Sequence, residues 1–199
     1  GLGLKRRVSP EQLRHAIDDG SISDLLVWNA AHPGDTISVP AGTIHAIGAG
    51  LVIAEIQQRS DTTFRLFDHG RGRELHIEDA LAVANAGPAE FPVTPTRLTD
   101  ARTLLVSNSY FTFERVDLTP NSTWRLEAEH ETWLLVVSGS ARAASLNVTT
   151  GDAIFAQADQ VTIHAGSNGL IGLVAYTGPL VRQLLKRVEP VHSRHSQVE

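Results

Sequence analysis

The feature that most constrains the fold is a Pro-Ala-Gly turn at residues 40–42 with a strand-forming segment on either side. Residues 36–39 before the turn and 43–47 after it are rich in β-branched side chains, which favour strands, and proline and glycine favour the turn between them. The apolar run at residues 51–56 is typical of a buried strand. The stretch therefore predicts neighbouring strands of one β-sheet.

Three side chains that can do chemistry follow the turn closely. His45 comes just after it, where a strand in a small barrel can point a side chain into the interior. Glu55 and Arg65 come from the next segment. An imidazole, a carboxylate and a guanidinium together predict a polar site inside an apolar barrel.

The spacing of the turn residues resembles a known family pattern. Gly34, five residues, Pro40, one residue, Gly42, two residues and His45 are similar to the second sequence motif of the cupin barrels, with Ala49 where that motif usually ends in Asn. The segment that follows reads Glu-Ile-Gln-Gln-x-Ser-Asp-x-Thr-x-Arg-Leu-x-Asp-x-Gly-Arg over residues 55–71, and Arg-Glu-Leu-His over 73–76. It resembles type I mannose-6-phosphate isomerase, a zinc-dependent cupin.

This resemblance implies a function and a set of site residues. The implied activity is the interconversion of mannose 6-phosphate and fructose 6-phosphate, a sugar phosphate being the small-molecule partner. His45 matches a zinc ligand of the family and Arg65 matches its essential arginine. The other family ligands come from a Gln-x-His-Pro motif and a later glutamate, which we expect upstream of Gly1. The absence of methionine from the sequence also favours residues preceding Gly1, and the alternative is the removal of an initiator methionine alone.

The chemistry explains why such residues are needed. An aldose becomes a ketose when a proton moves between two neighbouring carbons through an enediol, so a base and a cation are both required. Arg65 carries a permanently charged, forked cation suited to an enediolate or a phosphate. Glu55 could be the base, orient a zinc-bound water, or only pair with Arg65. Asp61, Asp68 and Arg71 are expected to be structural and to fix the segment that carries Arg65.

The second half of the chain is predicted to form a separate β-barrel. Short strand candidates begin near residue 103, and turn signals such as Ser138-Gly139 and residues 167–169 separate them. The metal motif has decayed there, since Gln157, Asp159 and Thr162 occupy the proline, glycine and histidine positions. We therefore expect a metal-free structural barrel. A metal between His130 and His164 is the alternative.

The predicted fold class is all-β, with two double-stranded β-helix (cupin or jelly-roll) barrels in tandem and a few short helices. Residues 1–88 form the C-terminal portion of the metal-site barrel, and residues 89–199 form the second barrel with a closing helix at 180–188. A helix from residue 10 to 20, capped by Ser9 and Gln12, is expected near the start. The linker is placed at residues 85–95, which are rich in small residues and proline.

Composition limits the other functions. A net charge of −5 and a pI of about 6.0 do not favour a nucleic-acid partner, and no apolar stretch is long enough to predict a membrane span. The chain has no cysteine, so disulfides and thiolate zinc sites are excluded, and the cytoplasm is the default location. The oligomeric state is not predicted.

Two other function classes stay open. The first is a non-catalytic cupin that binds a sugar or supports assembly after losing its zinc site. The second is a metal-dependent dioxygenase or epimerase on the same barrel, which would leave the Glu-Ile-Gln-Gln-x-Ser-Asp segment without a role. Fold alone does not separate them, because cupin barrels host many chemistries.

Overall fold

The computed structural model describes residues 1–60, 62–89 and 93–189, and the chain divides into two compact units between Val93 and Thr94. The first unit contains three short helices, and the second is built from β-strands. The predicted linker at residues 85–95 contains the division. The chain is mostly β-structure with a few short helices, as the sequence predicts.

The first helix, α1 (Pro10–Asp18), begins where the sequence places it. The Ser9 hydroxyl accepts a hydrogen bond from the backbone N–H of Gln12, and the Gln12 side chain accepts one from the backbone N–H of Ser9. These reciprocal bonds satisfy donors that a helix start leaves unpaired. The predicted capping box is confirmed, and the helix buries Leu13, Ala16 and Ile17.

Helix α1 packs into a small apolar core with two further helices, α2 (Ile22–Leu25) and α3 (Ile77–Val83). The start of the chain belongs to this core, because Leu4 and Val8 are buried within it. The core also contains Leu13, Ala16, Ile17, Ile22, Leu26 and Ile44.

The predicted strands of the first unit are not formed as strands. The turn at residues 40–42 is present, with the N–H of Thr43 bonded to the carbonyl of Pro40 at 3.1 Å. Residues 36–39 and 51–56, however, belong to no β-ladder. A strand is stable only beside a pairing partner, and no described residue forms a ladder with either segment.

The second unit is one curled antiparallel sheet, and its centre is the long strand β8 (Asp159–Thr177). On one edge β8 pairs first with β4 (Thr123–Ala128) and then with β3 (Phe111–Leu118). On its other edge it pairs with β5 (Thr132–Ala143). The remaining strands are β1 (Thr96–Arg97), β2 (Arg102–Ser107), β6 (Leu146–Thr149), β7 (Ala153–Ala156) and β9 (Leu185–Val188).

Most buried side chains of this sheet are apolar. Strand β3 alternates strictly between half-buried and buried positions, which is the pattern of a strand with one face in a core. The largest contributors from other strands include Trp124, Leu126, Leu134 and Ile163. The interior of the second unit is thus a packed core that is mostly apolar and also encloses buried polar side chains, among them Arg102 and Glu114.

The predicted closing helix at residues 180–188 is wrong. Residues 185–188 form strand β9, which pairs with β4. In a helix, the carbonyls of Val181 and Arg182 would accept bonds from N–H groups four residues later. They instead accept hydrogen bonds from the guanidinium of Arg102, at 2.7 and 2.6 Å.

Two predicted turns lie inside strands instead. Ser138-Gly139 lies within β5, where the register with β8 shifts, and residues 167–169 lie within β8. Both glycines at these points, Gly139 and Gly169, have positive φ angles, of 83° and 73°. The glycine signals are real, but they mark bends where two long strands meet and not chain reversals.

Candidate functional site

His45 lies directly after the predicted turn, and its ring is exposed to solvent. Its Nδ1 atom lies 2.9 Å from the carbonyl oxygen of Thr43. A carbonyl can only accept, so Nδ1 carries the proton and, in the neutral ring, Nε2 holds the free lone pair. This is the arrangement that metal-binding histidines use, in which one ring nitrogen donates to a fixed acceptor while the other binds the metal.

Glu55 lies on an exposed segment that belongs to no helix or strand. Every residue from 51 to 60 is exposed, and Val52 is fully exposed. The prediction that residues 51–56 form a buried strand is therefore wrong for the described part of the chain. The physical reason is the missing ladder partner, since apolar side chains are buried only when another element packs over them.

Arg65 is half-buried, and its surroundings come from the segment just after it. The backbone N–H of Arg65 donates to Nδ1 of His76 at 3.3 Å, and the backbone N–H of His76 donates to the carbonyl oxygen of Arg65 at 2.9 Å. One guanidinium nitrogen donates to the carbonyl oxygen of Glu74 at 3.0 Å. The guanidinium is thus oriented by one backbone contact, and within residues 1–60, 62–89 and 93–189 no carboxylate pairs with it.

The loop that carries Arg65 is held by a buried aspartate. Asp68 is only 6% exposed, and it accepts hydrogen bonds from the backbone N–H of Arg73, at 2.8 Å, and from its guanidinium. Burial alone would raise the pKa of this carboxyl, but the bonds and charge of Arg73 hold it below the ordinary value. Asp68 is structural, as its place in the sequence predicts.

Arg73 is the partner that sequence reasoning missed. It is separated from Asp68 by a loop in which Gly70 and Gly72 both have positive φ angles. The signal was present, because an aspartate and an arginine on either side of a glycine-rich turn come close when the chain reverses. Asp61, also predicted to be structural, lies outside the described residues.

We expect Asp68→Asn to lower the thermal midpoint of unfolding at pH 7. Because the folded-state pKa of Asp68 is depressed, its stabilising effect is present above the unfolded value of about 3.9 and is lost as the pH falls through the folded value. The gap between parent and variant should therefore close in acid. Thermal melts at several pH values measure it. Asp79→Asn, an exposed carboxylate on α3, is the control and should show no such gap.

The structure does not join His45, Glu55 and Arg65. Among residues 1–60, 62–89 and 93–189, no hydrogen bond or ion pair connects any two of them, and no three His, Asp or Glu side chains are grouped as a metal site would need. Catalytic zinc takes about three protein ligands. The described residues therefore do not complete a zinc site by themselves, and the three assignments stay predictions.

The alternative site at His130 and His164 does not fit the topology. His164 pairs with Thr123 at one end of β4, and its Nδ1 lies 3.1 Å from the Thr123 hydroxyl. His130 follows Ala128, the residue at the other end of the same strand. One strand length therefore separates the two histidines along the sheet.

Within the described residues, no helix has the length and apolar character needed to cross a membrane.

No protein-family model matches the chain. Comparison with individual proteins is more informative. Mannose-6-phosphate isomerase from Streptococcus mutans is 43% identical over 116 residues, covering 52% of this chain and 35% of that protein. Mannose-6-phosphate isomerase ManA from Bacillus subtilis is 33% identical over 146 residues, covering 68% of this chain and 45% of that protein.

A solved structure extends the similarity to the fold. The crystal structure of the mannose 6-phosphate isomerase from Bacillus subtilis matches with a TM-score of 0.74 and 25% identity, covering 88% of this chain and 59% of that one. The chain is thus similar in sequence and in fold to mannose-6-phosphate isomerases. It spans less than half the length of these curated relatives.

Proposed function

We propose that this chain is part of a zinc-dependent aldose–ketose isomerase, which interconverts mannose 6-phosphate and fructose 6-phosphate through an enediol. The observation that carries the proposal is the similarity to proteins named mannose-6-phosphate isomerase, at 33–43% identity. The bond from His45 to Thr43 adds independent support, because it leaves Nε2 available to a metal.

In this proposal each of the three site residues takes part in the reaction. His45 supplies one zinc ligand, and the other ligands come from residues outside this sequence. Zinc, when bound, would polarise the carbonyl of the sugar. Arg65 stabilises negative charge on the enediolate or the phosphate through its guanidinium. Glu55 takes the proton or orients the group that does.

The same proposal extends to the domain organisation, the small-molecule partner and the location of the protein. Residues 1–88 would be the C-terminal portion of the metal-site cupin barrel, and residues 89–199 the degenerate second barrel of a tandem pair. The packed and mostly apolar interior of the second unit supports a structural role for it. The partner would be a small sugar phosphate, and the location the cytoplasm.

A second function is favoured by one observation. The described residues contain no group of three metal-ligating side chains. A non-catalytic cupin that binds a sugar or supports assembly would need none. The two functions differ in whether the purified protein holds zinc and turns over substrate.

The deciding experiment measures intact mass, zinc content and isomerase activity on one preparation of the protein. A mass above the 21.5 kDa of this sequence, about one zinc per chain and turnover of mannose 6-phosphate are the expected results. A protein of 21.5 kDa with no zinc and no turnover would overturn the isomerase proposal and favour the non-catalytic function.

Arg65→Ala should lower kcat/KM by at least about a hundredfold, because a cation at a developing negative charge contributes a few kcal/mol to the transition state. Arg65→Lys keeps the charge but not the fork, and should recover part of the loss. Steady-state kinetics with zinc content measured alongside test this. Arg97→Ala, which removes an exposed arginine of the second unit, is the matched control. Equal activity in Arg65→Ala and Arg97→Ala would remove Arg65 from the site.

A further inference from the structure

A histidine outside the predicted site holds the backbone of Arg65 from both sides. The N–H of Arg65 donates to Nδ1 of His76 at 3.3 Å, and the N–H of His76 donates to the carbonyl oxygen of Arg65 at 2.9 Å. The guanidinium of Arg65 donates to the carbonyl oxygen of Glu74 at 3.0 Å. The backbone and the side chain of Arg65 are therefore both attached to residues 74–76.

The helix that begins after His76 does not account for a histidine at this position. His76 is the N-cap residue of α3, a position that favours Ser, Thr, Asp and Asn because their side chains accept an N–H of the first helical turn. Among the described residues, no N–H of α3 makes such a bond to the His76 side chain. The ring accepts the N–H of Arg65 instead.

Helix α3 fixes His76 relative to the apolar core of the first unit. Ala80 of this helix is buried, and Ile77 and Leu81 pack against the core. Because His76 directly precedes these residues, its contact with Arg65 ties the arginine to a packed element.

We propose that His76 is a positioning residue for Arg65, whose neutral ring keeps the guanidinium oriented toward the reacting sugar phosphate. This inference rests on the proposed isomerase function. Since Nδ1 accepts the Arg65 N–H, it holds the lone pair of the ring and Nε2 carries the hydrogen. Nε2 lies 4.0 Å from a carboxylate oxygen of Glu74, which favours the hydrogen at that nitrogen. The role therefore requires the lone pair of Nδ1.

Two substitutions separate the lone pair from the ring. His76→Asn keeps an acceptor near the position of Nδ1 but removes the ring. His76→Phe removes the acceptor but keeps a ring beside Phe64, whose centroid lies 6.2 Å from that of His76. We expect His76→Phe to lower kcat/KM roughly tenfold to a hundredfold, because small displacements of a catalytic group have effects of this size. His76→Asn should recover most of the loss. The proposal fails if His76→Phe is no less active than His76→Asn.

A double substitution shows whether His76 acts through Arg65. In an Arg65→Ala background, His76→Phe should cause no further loss of kcat/KM, because the group that it positions is gone. The same fold loss in both backgrounds would overturn the proposal, since His76 would then have an independent effect. His15→Phe, which replaces an exposed ring on α1, is the control and should keep the parental kinetics.

Hydrogen exchange at the Arg65 amide separates this inference from the isomerase proposal. Exchange should be at least about tenfold faster in His76→Phe than in the parent, and close to the parental rate in His76→Asn, because the bond to Nδ1 protects this amide. A parent protein without turnover would overturn the isomerase proposal. Equal exchange of this amide in the parent and in His76→Phe would instead overturn the positioning role of His76.

Discussion

Glu114→Gln is expected to lower the free energy of unfolding of the second unit by about 4 kcal/mol, because breaking a buried ion pair leaves its partner charge uncompensated. Glu114 is fully buried, and Arg102, its partner, is 2% exposed. The carboxylate accepts two hydrogen bonds from the Arg102 guanidinium, at 2.8 and 2.7 Å. A neutral amide of the same shape cannot balance that guanidinium.

The pair belongs to a larger buried network, which is why the loss should be large. The hydroxyl of Tyr176 donates to Glu114 at 2.6 Å and accepts from the N–H of Val181 at 3.1 Å. Burial, and next the bond to the Glu114 carboxylate, raise the pKa of Tyr176, so its hydroxyl remains a donor at neutral pH. Together with the Arg102 bonds to residues 181 and 182, the network ties the segment before β9 to β2 and β3.

Urea unfolding followed by tryptophan fluorescence measures the effect. Asp117→Asn is the matched control, because Asp117 lies on the same strand and pairs with Arg115 while remaining about 42% exposed. An exposed pair of this kind contributes less than about 1 kcal/mol. If Glu114→Gln costs no more than Asp117→Asn, the buried network does not stabilise the unit.

The sequence predicted most strands of the second unit, because each of them shows its burial locally. Strand β3 alternates between the two faces along its whole length, and β2 (Arg102–Ser107) begins where the first strand candidate of this half is predicted, near residue 103. The α1 start was predicted for a similar reason, since Ser9 and Gln12 are three residues apart and cap each other. Local pattern is sufficient where the partner is near in sequence or the core face is unambiguous.

The failed predictions share a different cause, which is a partner distant in sequence. The apolar spacing of residues 180–188 fits a helix, and only the buried Arg102, some eighty positions earlier, takes the carbonyls that a helix needs. Residues 51–56 have the composition of a buried strand but no described ladder partner. In the candidate site, residue spacing was enough to predict the turn before His45. Which side chains surround His45 depends instead on packing between residues that are far apart in sequence.

Gly139→Ala is expected to destabilise the second unit by about 4 kcal/mol, combining a positive φ angle that disfavours any side chain with a steric overlap. Gly139 has a φ angle of 83°, and a Cβ atom there would overlap the carbonyl oxygen of Gly169. That oxygen is backbone at the bend of β8, so it cannot move away as a flexible side chain could. The two glycines meet where the register between β5 and β8 shifts.

Comparison with Gly151→Ala separates the steric overlap from the conformational strain. Gly151 has a φ angle of 94°, but a Cβ atom at this position would have no neighbour within 4 Å. It should therefore cost only the conformational strain, about 1–2 kcal/mol. Urea unfolding of both variants gives the difference, which we attribute to the contact with Gly169. Equal losses would mean that the β5–β8 crossing tolerates a methyl group, and that the bend is set by the flanking strand pairs and not by glycine.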